Sequence, residues 1–167
     1  MNYLHKGFTL IEVIIVVGII GIIIGGSVKI YSRTIVERQL DKEADGIVNI
    51  LQTAKDRAMA RDISPLIPFP GCNNFVGYGL SIQSTGTFSD TIICDATQTV
   101  LNTYSLENAV FHNLSPSPMQ LSFMYPYGSL NTTTSRIIQI KSTHGNQCIR
   151  ITIPRLGPID KSTTYSC

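Results

Sequence analysis

Hydrophobic and polar positions divide the chain into three stretches with different periods. Residues 8–28 read FTLIEVIIVVGIIGIIIGGSV, an apolar run of 21 residues broken by one charge, Glu12. An α-helix rises 1.5 Å per residue, so about 20 apolar residues cross the hydrocarbon core of a bilayer. The run therefore predicts a membrane-crossing helix. From residue 29 the period changes. Leu40, Ala44, Ile47, Leu51, Ala54 and Ala58 recur at alternating spacings of four and three, and Val36, Val48 and Met59 widen the stripe. That is one apolar face of a helix. Glu37, Arg38, Asp41, Lys42, Glu43, Asp45, Lys55, Asp56 and Arg57 fill the other faces as solvated charge. Pro65, Pro68 and Pro70 are expected to end the helix soon after Asp62. Joined, the two parts make a helix of about 55 residues, roughly 80 Å long.

The third stretch has period two. Val76, Tyr78, Leu80 and Ile82 alternate with Gly77, Gly79 and Ser81. Residues 91–94 are short and apolar, and 100–106 are rich in strand formers. Met119, Leu121, Phe123 and Tyr125 alternate before a Pro126-Tyr127-Gly128 turn. Runs at 136–141 and 147–153 follow, the latter with Ile149, Ile151 and Ile153 on one face. This is the half-buried antiparallel strand pattern. The Ser/Thr-rich segments 84–90 and 131–135 read as exposed loops.

Length and composition change this picture little. The chain has 167 residues, enough for one compact domain plus an extension. Net charge is +2, so no global field points to nucleic acid or to a strongly acidic partner. The four cysteines add more. Cys72, Cys94, Cys148 and Cys167 contain no CxxC pair, which weakens a zinc reading. An even count in a region expected outside the cytoplasm suggests disulfides, with three connectivities open. Cys72–Cys94 with Cys148–Cys167 is the working choice, because the second bridge would pin the C-terminal tail. Free buried thiols, or a metal held by His144 and Cys148, are the alternatives.

The apolar run also has flanks to explain. His5 and Lys6 precede it, which by the positive-inside tendency keeps that end in the cytoplasm and exports the rest. No A-x-A-like site follows Val28, as a conventional secretory signal would require. Glu12 is a carboxylate within a membrane segment, which costs several kcal/mol unless it finds a partner. If the chain is cut after Gly7, Phe8 gains an α-amino group that is cationic near neutral pH. Glu12 would then neutralise the amine of a neighbouring copy and set an axial register. Snorkelling to the interface is the other reading of the same residue. Gly21-x-x-x-Gly25 permits close helix approach.

Lys6-Gly7-Phe8-Thr9-Leu10-Ile11-Glu12 resembles the processing signal of type IV pilins and type II secretion pseudopilins. The resemblance implies a peptidase that cuts between Gly7 and Phe8 and methylates Phe8. It also implies that Glu12 guides entry into a filament. It implies a chain inserted once in the bacterial inner membrane with its head outside, partnered by other pilin subunits and by prepilin peptidase. One departure stands out. Many members carry a proline about 20 residues into the mature helix, whereas Gly25, Gly26 and Lys29 occupy that neighbourhood here.

The expected organisation is a leader, 1–7; a membrane or filament-core helix, 8–28; an amphipathic continuation, 29–62; and a β-rich head, 63–167. The fold class is α+β, a long N-terminal helix packed on an antiparallel β-sheet head, as in pilins. The head resembles those of H-type pseudopilins and FimT-type minor pilins. Its carrying pieces are Val76-Gly77-Tyr78-Gly79-Leu80, residues 106–110, Leu121-Ser122-Phe123 before the proline turn, 137–140, and 149–153 with Gly157. That implies a minor subunit. The major pseudopilin has a calcium loop, but Asp160 stands alone in the C-terminal third here.

No cofactor is expected. His112 and His144 read as surface residues, and no GxSxG, HExxH or P-loop pattern occurs. FimT-like minor pilins in some competence systems bind DNA through a basic C-terminal motif. Arg136, Lys141, Arg150, Arg155 and Lys161 are the corresponding cations, able to contact phosphates. Asp160 interrupts them, and the paired arginines of that family are missing, so scattered solubilising charge is favoured. The remaining rival is a single-span anchored protein whose head binds a partner without polymerising.

Overall fold

The computed structural model describes residues 9–62, 72, 74–95 and 97–167; the side chains of 26–33 are not described. The chain divides into two compact units, Met1–Val36 and Glu37–Cys167. Helix α1, Leu10–Ala60, is one continuous element of 51 residues. It remains helical through Gly25 and Gly26.

In the first unit the apolar run has no cover. From Leu10 to Ile24 every Leu, Ile and Val is at least 48 % exposed. Among the described residues, no helix is long and apolar enough to cross a membrane. The expected span, 8–28, starts before them and ends among side chains that are not described.

In the second unit α1 is covered on one face. Leu40, Ala44, Ile47, Leu51, Ala54 and Ala58 are all at most 4 % exposed. These are the residues of the four-and-three spacing, so the stripe expected from sequence is the core face. Met59 departs from it, at 41 % exposed. It lies beside Gly128, whose turn leaves it at the rim. The prolines expected to stop the helix lie outside the described residues. The stop itself is made by Arg61, which adopts φ 51°. Arg61 N–H donates to Ala58 O and Asp62 N–H to Arg57 O at 3.0 Å, the paired bonds of a Schellman cap.

Among the described residues ten strands follow: β1 Phe75–Ile82, β2 Thr87–Cys94, β3 Thr97–Ser105, β4 Ala109–His112, β5 Met119–Met124, β6 Ser129–Leu130, β7 Arg136–Ser142, β8 Gln147–Ile153, β9 Asp160–Lys161 and β10 Tyr165–Ser166. They form two antiparallel sheets, ordered β3-β2-β1-β5-β6 and β10-β8-β7-β4, with β9 also on β8. Tyr78, Leu80, Ile82, Leu121 and Phe123 from the first sheet share one core with Ile138, Ile140, Ile149, Ile151 and Ile153 from the second and with the helix stripe. The architecture is α+β, with the C-terminal part of α1 packed on antiparallel β-structure.

One expected loop is a strand instead. The stretch 84–90 has the composition of an exposed loop, yet β2 begins at Thr87. Phe88 is 4 % and Asp90 7 % exposed. The polar residues hide a strand that pairs on both sides, with β1 and β3.

Candidate functional site

The start of α1 is built by Thr9. Glu12 N–H bonds to the Thr9 carbonyl at 3.1 Å and reaches the Thr9 hydroxyl at 3.4 Å. Thr9 is thus the N-cap and Glu12 the third helical residue, the T-x-x-E spacing of a capping box. A carboxylate in the first turn also faces the positive end of the helix dipole. The T-x-x-E spacing is present in the sequence, but a charge in an apolar run is the more unusual feature and hides this local role. Glu12 is exposed. Gly7 and Phe8 lie outside the described residues.

The cysteines form Cys72–Cys94 and Cys148–Cys167 bridges. This removes the free-thiol reading and, with Cys148 bridged, the His144/Cys148 metal reading. Among the described residues no group of three His, Cys, Asp or Glu could hold a metal ion.

The five cations named for nucleic acid do not share a face. Lys161 pairs opposite Ile151 and turns toward α1. Its ammonium donates to Asp41 at 2.7 Å and Asp45 at 2.5 Å. Burial alone would lower the Lys161 pKa; the bonds to both carboxylates outweigh it and hold it above its ordinary 10.5. Arg136 shares the face of β7 that carries the buried Ile138 and Ile140, and its Nε has no hydrogen-bond partner among the described residues. Lys141 and Arg150 lie on the opposite face of that sheet, where Arg150 sits 5.7 Å from the Tyr165 ring. Arg155 is in the loop after β8.

A cavity of about 150 Å³ lies between the helix and the first sheet, lined by Thr53, Arg57, Tyr78, Asp90, Asn102 and Tyr104 among others. Asp90 is spent structurally. Its oxygens accept from Asn102 N–H at 2.7 Å and Asn102 Nδ2 at 3.1 Å. The β2–β3 register slips there, so this carboxylate fastens a bulge. Tyr78 donates its hydroxyl to Asp62 O at the helix end. Burial pushes that phenol up to about 12; the charges of Asp62 and Asp90 add to the shift and Arg57 opposes it.

Residues 4–28 match the family model for the prokaryotic N-terminal methylation motif. No curated protein and no solved structure matches the chain at a significant level.

Proposed function

We propose that this chain is a structural subunit of a pilus-like or secretion filament, made as a prepilin and processed at its N-terminus. The methylation motif over residues 4–28 carries the reading, since it supports a type IV pilin or pseudopilin subunit handled by prepilin peptidase. The exposed apolar side chains from Leu10 to Ile24 support it independently. A surface that apolar, in water, drives association with lipid or with like helices.

In this reading residues 1–7 are the leader, removed between Gly7 and Phe8, and Phe8 is methylated. Residues 8–28 anchor the subunit in the inner membrane and then enter the filament core, with Glu12 meeting the Phe8 amine of a neighbour. Residues 29–62 continue the helix into the head, 63–167. The order of strands favours a minor subunit of the H-type pseudopilin or FimT kind. A DNA-receptor role is not favoured, because Lys161 and Arg136 turn away from the face that holds Lys141 and Arg150.

The intact mass of the protein from its native membrane tests the reading. Loss of residues 1–7 with gain of one methyl is the expected result; a retained leader, or cleavage after Val28, sinks it. Glu12→Ala is expected to leave membrane insertion intact and block filament entry. Normal filaments from that variant would remove the amine–carboxylate pairing.

A further inference from the structure

Three distant segments meet where α1 ends. The Gly128 turn rests on Met59 and Lys55. Lys55 donates to Gly157 O, and Leu130 N–H donates to Arg155 O at 3.0 Å. Arg61 lies 5.8 Å over the Tyr125 ring. At this corner Tyr127 is 75 % and Leu156 62 % exposed, and Met59 and Tyr125 are exposed with them. Among the described residues of Glu37–Cys167, these are four of the seven exposed large apolar side chains. Apolar side chains exposed singly need no explanation, whereas a gathered set with a polar rim marks an interaction site.

The charge at this corner is one-sided. Lys55, Arg61 and Arg155 are all cations, while residues 119–135 and 154–158 contain no carboxylate. The two carboxylates at the helix end are engaged: Asp56 accepts from Gln52 Nε2 at 3.0 Å, and Asp62 lies 3.9 Å from Arg57. Arg61 adds a second, independent sign. It holds φ 51°, a position usually given to glycine. Both bonds of the cap are donated by backbone N–H groups, so glycine would keep them. The arginine side chain gains nothing for the cap. What it does is hold an exposed guanidinium over Tyr125, at the cost of a left-handed backbone.

We infer that this corner docks into an acidic pocket of a different protein, with Tyr127 and Leu156 in an apolar slot and Arg61 and Arg155 against carboxylates on its rim. Tyr and Arg are the residue types that carry most binding energy at protein interfaces. Arginine meets a carboxylate through two parallel bonds, which fixes the direction of approach. A lipid surface fits less well, because anionic-lipid sites take clusters of about four to eight cations, more than the corner holds. A nucleic-acid backbone would use the arginines and leave Leu156 without an apolar contact. In a second copy of this chain, the polar hollow at Glu43 and Glu107 also holds Lys42, and Glu43 is already bonded to Asn108. The contact belongs to the head and does not depend on the filament reading.

A photoreactive substitution tests it: Tyr127→p-benzoylphenylalanine in the full chain, irradiated in its own membrane. The expected adduct joins the chain to a different protein and maps to a segment of it that carries paired Asp or Glu residues. Arg61→Glu with Arg155→Glu is expected to cut the yield about tenfold, and changing those partner carboxylates to lysine to recover it. Arg61→Gly separates binding from folding. Its thermal midpoint is expected to hold or rise, since glycine suits the cap, while the adduct yield falls. Full yield from Arg61→Gly, a charge swap that recovers nothing, or no adduct at all overturns the assignment. So does an adduct with phospholipid, with nucleic acid, with a second copy of the chain, or with a protein segment lacking carboxylates.

Discussion

A methyl group added at Gly77 would lie 1.9 Å from the Phe123 carbonyl oxygen, and one at Gly79 would lie 2.6 Å from that of Leu121. Both meet backbone of β5, which cannot swing away as a side chain would. Gly79→Ala is therefore expected to lower unfolding free energy by about 2 kcal/mol or more in a urea titration, and Gly77→Ala by more still. The alternation around these glycines is legible in the sequence. The reason for glycine is not, because it depends on β5, more than forty residues away, pairing with β1. Asp90 carries the same lesson. Its neighbours Ser, Thr and Gly have the composition of a loop, yet it is a buried bracket for the Asn102 bulge. Asp90→Ala strands the Asn102 amide and is expected to cost about 2 kcal/mol by the same titration.

At the level of elements, the helix is the most legible part. Its core stripe follows from spacing alone, since a 3.6-residue period leaves little choice of face. Its end does not, because an arginine holds the left-handed position usually given to glycine. Tyr78 then bonds to Asp62 O just beyond the cap. This junction has a pH signature. The folded-state pKa of Tyr78, about 12, is above its ordinary 10.0. Its stabilising share is full below pH 10 and is lost as pH rises from 10 to 12. Lys161, also raised, loses its share above its ordinary 10.5. The urea midpoint is thus expected to hold steady up to about pH 9.5 and fall beyond pH 10. Tyr78→Phe should flatten part of that fall. An equal slope in wild type and variant would show that burial of this phenol does not govern the alkaline limb.

The whole molecule joins parts of unequal legibility. The match to the N-terminal methylation motif depends on adjacent residues and needs no fold to be seen. The head depends on pairings across long separations: two-residue strands β6, β9 and β10 have no periodicity to detect. Two covalent bridges offset that long-range cost. Each closes a loop of about 20 residues, and removing one, as in Cys148→Ser with Cys167→Ser, is expected to lower stability by about 3 kcal/mol. Thermal unfolding with and without reductant gives the same comparison for both bridges together.

The path of the chain between the sheets has one more consequence. It leaves the first sheet after β3 to place β4 in the second, returns for β5 and β6, and leaves again for β7. Residues 115–118, between β4 and β5, are exposed. A protease cutting there would divide the chain but not the body. One fragment would hold three strands of the first sheet and the edge of the second, and the other fragment the complementary strands of both. Neither sheet belongs to one fragment, so the two halves are templates for each other, and the head is in effect a split protein awaiting its cut.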